Sequence, residues 1–258
     1  MPDPNEIRFD IPHPARVWNY WLGGKDNYAP DRAVGDAIVA QNPDILHIAR
    51  QARQFLIRAV TFLAGEAGID QFLDIGTGLP TMQNTHEVAQ QVTPSSRIVY
   101  VDNDPLVLAY ARTLLVNTAP EGATTYVHAD VRDPEQIMAR ASDVLDLERP
   151  VAVMLLGVLG HATPDFGEMR SVIDRLMAAV PSGSYLVLQD GSDTSDSVRT
   201  SATMNNYTVR TLDQFRECFE GLEMVEPGLV PTPQWRPAPT DIGTTEPLDS
   251  YCAVGRKP

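Results

Sequence analysis

The sequence predicts an α/β fold: a doubly wound, mostly parallel sheet of seven strands with a helical extension at the N-terminus. Two observations carry this prediction. Strand-like apolar runs alternate with helical patterns over residues 71–189, and a long amphipathic pattern precedes them. Such alternation is typical of a parallel sheet that helices cover on both faces. Ligands of these sheets bind at the carboxyl ends of the strands, near the point where strand order reverses.

The N-terminal extension is expected over residues 1–68. Prolines interrupt residues 1–42, where a short helical turn at residues 16–22 is expected to end at a pair of glycines, Gly23 and Gly24. Apolar residues then recur at helical spacing over residues 44–65. This spacing predicts one long amphipathic helix.

The α/β core is expected over residues 69–258, and it forms a single domain with the extension because no linker or repeat divides the chain. The predicted strands are residues 71–75, 97–101, 125–128, 151–156, 185–189, 222–230 and 250–254. The predicted helices are residues 81–91, 105–116, 134–145, 164–180 and 211–220. An ordered surface loop is expected at residues 231–239. A mobile loop is expected at residues 192–201, where it would lie over the acceptor side.

Composition excludes several functional classes. A formal net charge of −14 disfavours a nucleic-acid partner, since it repels phosphate backbones. Neither a membrane span nor a signal peptide is visible, and we therefore expect a cytoplasmic protein without a membrane partner. Cys218 and Cys252 are too few for a disulfide framework, and we interpret them as buried thiols. No residues have metal-ligand spacing.

The apolar run at residues 72–75 ends in a glycine turn, Gly76-Thr77-Gly78. Such a turn allows the backbone to approach a ligand closely. The next predicted strand delivers Asp102 to the same edge of the sheet, where a carboxylate can receive the two hydroxyls of a ribose. Together these segments predict a cofactor that contains a nucleoside.

The details of the turn distinguish between two such cofactors. A dinucleotide site requires a third glycine three positions after the second, whereas Gly78 is followed by Leu79, Pro80 and Thr81. Asp74 would also repel a pyrophosphate, but it would attract an ammonium group. S-adenosylmethionine has an ammonium group and a ribose and has no phosphate, so it is favoured over NAD.

A third acidic position follows the third predicted strand. Asp130 lies at the strand end, where a carboxylate can accept a hydrogen bond from the exocyclic amine of adenine. The alternative is that it caps the helix beginning at Pro134. We assign that capping role to Asp133 instead, and favour adenine contact for Asp130.

These three strand ends resemble the nucleotide half of class I S-adenosylmethionine-dependent methyltransferases. Residues 15–28 read Ala-Arg-Val-Trp-Asn-Tyr-Trp-Leu-Gly-Gly-Lys-Asp-Asn-Tyr, and with residues 72–81 they resemble one bacterial family within that class, formerly catalogued as a domain of unknown function. The similarity covers nearly the whole chain, including residues 226–230 and 235–237. It implies a Rossmann-like methyltransferase domain. It does not imply a particular substrate, and the sequence does not identify one. One departure is the Gly-Thr-Gly-Leu-Pro turn, where the wider class has Gly-x-Gly-x-Gly.

The resemblance also implies which residues hold the cofactor. Asp74, Gly76 and Gly78 would surround the methionine portion, while Asp102 would bind the ribose and Asp130 the adenine. The complete set of cofactor-binding residues predicted in the core is Asp74, Gly76, Thr77, Gly78, Asp102, Asn103, Asp130, Val131 and Gly157.

The N-terminal block allows two interpretations. In the first it is a structural plug, with Trp18, Tyr20 and Trp21 packing an apolar edge. In the second it is a lid in which Asn19, Lys25 and Asn27 contact the methionine carboxylate or the acceptor. Apolar packing does not require Lys25 and its polar neighbours beside two glycines, so we favour the lid.

His161 follows the fourth predicted strand, whose end faces the methyl group in this fold class. It is the candidate base for an acceptor hydroxyl or amine, although it can equally help to start the next helix or line the pocket. The predicted function is methyl transfer to a small-molecule acceptor. A non-catalytic regulatory protein that binds S-adenosylmethionine and an NAD-dependent oxidoreductase remain as alternatives.

Overall fold

A computed structural model describes residues 8–80, 83–114, 118–238 and 246–258. Its strands are β1 (Gln71–Ile75), β2 (Arg97–Asp102), β3 (Ala123–His128), β4 (Ala152–Leu156), β5 (Tyr185–Gly191), β6 (Glu223–Met224), β7 (Val230–Pro231) and β8 (Ser250–Arg256). Its α-helices are α1 (Pro14–Trp21), α2 (Ala29–Gln41), α3 (Ile45–Gly65), α4 (Thr85–Val92), α5 (Pro105–Leu114), α6 (Pro134–Ala141), α7 (Leu159–Ala162), α8 (Phe166–Ala178), α9 (Asp196–Met204) and α10 (Leu212–Glu217). Among the described residues, none of these helices is long and apolar enough to cross a membrane.

The strands form one mixed sheet in the order β3-β2-β1-β4-β5-β8-β6, with β7 also paired to β8. The first five strands are parallel, and β8 is antiparallel to β5. Strand order reverses between β1 and β4, which confirms the predicted doubly wound fold. The sheet has eight strands instead of seven because the predicted strand at residues 222–230 is two short strands, interrupted where Pro227 and Gly228 disfavour ladder pairing.

Side chains of the central strands alternate between two apolar layers. Leu73 and Val99 point into a core that includes residues of α6 and α8. Phe72 and Ile98 point to the opposite face, where they pack with residues of α3 and α4. This period of two is the expected pattern for strands buried on both faces, and it places the strand ends at one accessible edge.

The helix boundaries differ from the prediction where a proline does not begin the helix. Pro105 and Pro134 occupy the first helical positions, as predicted. The predicted helix at residues 164–180 begins at Phe166 instead, because the Asp165 carboxylate caps it by accepting from the Glu168 amide at 3.0 Å. The predicted helix starting at residue 81 begins at Thr85, and residues 81 and 116 lie outside the described residues.

The loop at residues 192–201 was expected to lie as a mobile segment over the acceptor side, and this is wrong for its second half. Helix α9 begins at Asp196, and the Ser195 hydroxyl caps it by accepting from the Val198 amide. Serine and acidic residues are favoured at the start of a helix, so the composition that indicated a loop belongs to a helix start.

The proline-rich segment after β7 is less exposed than a surface loop. A 3₁₀ turn, Thr232–Gln234, leads into Trp235, which is fully buried with its ring 5.4 Å from that of Phe55. The Arg58 guanidinium of α3 donates to the carbonyl oxygens of Trp235 and Thr232 at 2.8 and 2.9 Å. The segment is therefore docked on α3.

Three helices precede the sheet, and α2 was not predicted. Pro30 was interpreted as an interruption but lies in the first turn of α2, where its missing N–H has no cost. The buried Asp31 carboxylate accepts from the backbone amides of His13 and Tyr28 at 2.9 and 2.8 Å. Asp31 therefore joins the start of α1 to the start of α2.

Candidate cofactor site

A cavity of about 340 Å³ lies at the carboxyl ends of β1 to β4, with α1 and α3 forming its opposite wall. Eleven of the twelve predicted site residues line it; Lys25 does not. The eleven are Asn19, Asp74, Gly76, Thr77, Gly78, Asp102, Asn103, Asp130, Val131, Gly157 and His161. Strand order spreads them from the end of β3 to the end of β4, so the cavity is elongated along the sheet edge.

The glycine turn after β1 requires both of its glycines. Gly76 has a φ of +77°, and a Cβ there would lie 2.4 Å from the Cβ of Val158. Gly78 has a φ of +65°, and its amide donates to Asp102 Oδ2 at 2.7 Å. L-residues with side chains are strained in this left-handed region. Gly76, Thr77 and Gly78 all line the cavity.

Asp102 organises the turn as well as lining the cavity. Its second oxygen, Oδ1, accepts from the Asp104 amide at 3.0 Å, and the residue is 8% exposed. Burial raises the pKa of Asp102, while the hydrogen bonds from Asp104 and Gly78 oppose the rise. Contact of this carboxylate with a ribose stays a prediction.

Asp74 is the most deeply buried acid of the cavity wall, at 4% exposure. Its Oδ2 accepts from the Thr85 hydroxyl at 2.6 Å. Burial raises the pKa of Asp74 to about 6, against the lowering effects of the Thr85 hydrogen bond and the nearby Arg53. The carboxylate therefore gains stability from any positive group that enters the cavity.

Arg53 of α3 is a cavity residue that the sequence reasoning missed. Its guanidinium makes no hydrogen bond or ion pair with any described residue, and burial lowers its pKa although Asp74 attracts it. The signal was present in the helical pattern. Arg53 lies four residues after Ala49 and three before Leu56, which are both buried, so a cation occupies the apolar stripe of an amphipathic helix.

The residues that follow β3 line one end of the cavity, away from the end of β4. Asp130 pairs with Arg132 at 2.6 Å, and this hydrogen bond lowers the pKa of Asp130. Asp133 caps α6 by accepting from the Gln136 amide at 3.1 Å, which confirms its predicted role. Contact between Asp130 and adenine is not tested by these contacts and stays a prediction.

The N-terminal segment crosses the cavity and reaches α5 on the far side. The Tyr110 hydroxyl donates to Asp26 Oδ1 at 2.7 Å, which raises the pKa of Tyr110 to about 12. Asn19 Oδ1 accepts from the Asp26 amide and from Asn27 Nδ2, so Asn19 organises the loop before α2. Lys25 is exposed, and its predicted contact with the methionine carboxylate would require the loop to move.

His161 lies in α7, beside the end of β4, and its ring lines the cavity. Burial is the main reason that its pKa is lowered to about 4, so the imidazole is neutral at pH 7. The Tyr207 ring packs edge-on against it at 4.8 Å, and no described residue bonds to its ring nitrogens. A neutral imidazole with a free nitrogen can accept a hydrogen bond or a proton.

The described residues contain no group of three His, Cys, Asp or Glu side chains that could hold a metal ion. Cys218 and Cys252 are free and buried, as interpreted from the sequence. Burial is the first cause that raises the pKa of both thiols. Neither cysteine lines the cavity.

The sequence profile of a family described as S-adenosyl methyltransferase matches residues 2–258. The solved structure of a DUF574 family protein from Streptomyces avermitilis is 42% identical over 98% of this chain and 100% of that chain, with a TM-score of 0.92. A protein from Thermobifida fusca is 41% identical over 96% of this chain and 97% of that chain, with a TM-score of 0.87. An O-methyltransferase family 2 protein from Planctomyces limnophilus shares the fold alone, at 16% identity over 89% of this chain and 67% of that chain, with a TM-score of 0.50. Among curated proteins, none matches.

Proposed function

The chain belongs to the S-adenosyl methyltransferase family and uses S-adenosylmethionine as its methyl donor, and from this premise we propose how its residues hold the cofactor and treat the acceptor. The observation that carries the proposal is that one cavity contains both a carboxylate, Asp74, and a guanidinium, Arg53, that has no hydrogen bond or ion pair with a described residue. The cavity volume of about 340 Å³ is in the range of ligand pockets, which is roughly 300 to 1,000 Å³.

Arg53 and Asp74 fit the two opposite charges of an α-amino acid. The guanidinium of Arg53 would bind the methionine carboxylate, because the half-buried Arg53 lines the cavity and makes no hydrogen bond or ion pair with a described residue. Asp74 would attract the ammonium group. Lys25 would join the carboxylate only after a movement of the loop that holds it, since it is exposed in the present arrangement.

The nucleoside would lie toward β3. Asp102, with Gly78 bonded to it, would receive the ribose hydroxyls, and Asn103 would border the same position. Asp130 and Val131 would border the adenine. This order of contacts follows the strand order β1-β2-β3 along the sheet edge.

S-adenosylmethionine, when bound, supplies a methyl group whose bond to sulfur breaks with its electron pair staying on sulfur as the acceptor atom forms its bond to carbon. His161 would accept the acceptor's proton. A base with a pKa of about 4 is weak, but an oxygen or nitrogen that is gaining a methyl group becomes strongly acidic. His161 would therefore position the nucleophile first and take its proton late.

Two measurements test this proposal separately. Calorimetric titration with S-adenosylmethionine, S-adenosylhomocysteine and NAD should show binding of the first two only, and tight binding of NAD would overturn the cofactor assignment. His161→Ala should leave binding of S-adenosylhomocysteine unchanged and, for any acceptor that the wild type methylates, lower kcat about 100-fold, the lower end for loss of a general base. An unchanged kcat would remove His161 from the chemistry.

The acceptor would be a small molecule, and the net charge of −14 argues against nucleic acid. A cytoplasmic location fits Cys218 and Cys252, which are free thiols, as a reducing compartment would keep them. The residues 1–258 would act as a single domain, because helices α1 and α3 and the strand ends line one cavity.

A further inference from the structure

A second, smaller cavity of about 70 Å³ adjoins the cofactor cavity on the side of β5. Five residues line both cavities: Pro14, Trp18, Gly157, His161 and Gln189. A molecule in the second cavity would therefore border His161, at the end of the cofactor cavity where the methyl group is expected. The remaining walls come from α1 to α3, from α9 and from the residues that follow α9.

The walls of the second cavity are mostly apolar and aromatic. These residues are Trp18, Trp21, Ile38, Ile45, Ile48, Val198, Ala202, Tyr207 and Val209. No Lys or Arg is among the described residues that line it. Its one carboxylate, Asp249, already accepts from the hydroxyls of Thr194 and Ser195. An anionic acceptor would lose its hydration there without gaining a counter-charge, and a cationic one would meet only a carboxylate whose two oxygens already accept from hydroxyl groups, so both are unfavourable.

Two hydrogen-bond acceptors lie in the wall that the cavities share. Gln189 is 2% exposed, and its Nε2 donates to Ser250 Oγ at 2.7 Å, which fixes the amide. Its Oε1 has no partner among the described residues, and neither do the ring nitrogens of the neutral His161. Gln189 lines both cavities, so a ligand or water there can donate to this oxygen. Both groups are suited to one O–H or N–H donor.

We propose that the second cavity is the acceptor subsite, and that it takes a neutral, largely apolar molecule of at most one ring carrying one hydroxyl or N–H group at Gln189 and His161. This inference rests on the proposed function, because it takes the adjoining cavity as the cofactor site. The size limit follows from the volume. A cavity of about 150 Å³ holds benzene, so about 70 Å³ holds only the apolar end of a ring whose polar end extends to the shared wall.

Phenol is the probe of this subsite, and benzoate and benzylamine are charged probes of similar shape. Binding is measured by ligand-detected NMR on the protein saturated with S-adenosylhomocysteine, whose own affinity is measured first by calorimetry. Phenol should bind with a Kd of about 1 mM, as expected for so few atoms, and the charged probes should bind at least tenfold more weakly.

Ala202→Leu adds three carbon atoms to the second cavity alone, since Ala202 does not line the cofactor cavity. It should weaken phenol binding at least tenfold and leave S-adenosylhomocysteine binding unchanged. Thr200→Leu, on the exposed side of the same helix, is the matched control and should change neither. Val209→Phe fills the same cavity from a different segment and replaces Ala202→Leu if that variant does not fold.

The outcomes separate this inference from the function on which it rests. Failure of S-adenosylhomocysteine to bind the wild type would contradict the proposed cofactor site. Normal cofactor binding with no phenol binding at about 5 mM, several times the expected Kd, would overturn the acceptor subsite alone. Equal phenol binding to the filled variants, or binding of either charged probe as tight as that of phenol, would also overturn it.

Discussion

Binding of the cofactor is expected to weaken as pH falls through about 6, because Asp74 must be ionised to attract the ammonium group of the methionine portion. Burial raises the pKa of Asp74 to about 6 in the free protein, against the opposing effects of Thr85 and Arg53. An ammonium group favours the charged carboxylate, so the pKa of Asp74 falls on binding. Protonation of Asp74 therefore competes with the ligand, and affinity is lost on the acid side of this pKa.

The size of the effect follows from the same value. One unit below a pKa of about 6, at pH 5, about one Asp74 in eleven is ionised. The affinity for S-adenosylhomocysteine should then be about elevenfold lower at pH 5 than at pH 8, which corresponds to about 1.4 kcal/mol. Binding at pH 5 should release about one proton from Asp74 to the solvent, and binding at pH 8 should release almost none.

Calorimetry in two buffers of different ionisation enthalpy measures both the affinity and the protons released. Asp74→Asn cannot ionise and should bind weakly with no pH dependence over this range. Methylthioadenosine, which lacks the amino acid portion, should bind the wild type with the same affinity at pH 5 and pH 8. A flat profile for S-adenosylhomocysteine, or an equal slope for methylthioadenosine, would refute the pairing of Asp74 with the ammonium group.

Three further predictions concern binding contacts and the N-terminal segment. Asp102→Ala should weaken S-adenosylhomocysteine binding by about 1 to 3 kcal/mol, with Asp102→Asn losing less, and an unchanged Kd in a folded variant would remove Asp102 from the site. Arg53→Ala should cost about 1.5 to 3 kcal/mol for S-adenosylhomocysteine in calorimetry and leave methylthioadenosine unaffected; equal losses for both ligands would indicate a folding defect. Saturating S-adenosylhomocysteine should protect residues 14–30 from proteolysis. The Tyr110→Phe variant loses the hydrogen bond to Asp26, so without ligand this segment should be cleaved about tenfold faster than in the wild type. Equal cleavage with and without ligand would make the segment a structural plug.

The sheet edge and its acidic residues could be predicted because their signals are local. A strand that ends in a glycine turn identifies its own carboxyl end, and parallel strands bring their carboxyl ends to one edge. The strand pattern alone is therefore enough to predict that Asp74, Asp102 and Asp130 lie together, and all three line one cavity. The positions of the helices are not needed for this prediction. Helix starts were less certain, as the difference between Pro164 and Phe166 shows, because a proline is compatible with several positions before a helix.

The residues from helices could not be placed in the same way. The amphipathic pattern of α3 predicts which face of the helix is buried, but it does not predict what packs against that face. Arg53 and Asp74 come to line the same cavity only in the folded chain. The same is true of Gln189. It lies in an apolar strand, and its unbonded oxygen matters only because the second cavity lies beside it. Contacts between distant segments are set by tertiary packing, which a local pattern does not contain.

The two interpretations of the N-terminal segment describe different side chains of the same helix. Trp21 packs with Ile38 and Ala49 in an apolar cluster, as a plug would. Trp18, three residues earlier, lines both the cofactor cavity and the second cavity. Any movement of α1 that opens the cofactor cavity would therefore also remove a wall of the second cavity. If the segment moves, the acceptor is expected to bind only after the cofactor, once α1 has closed and the second cavity is complete.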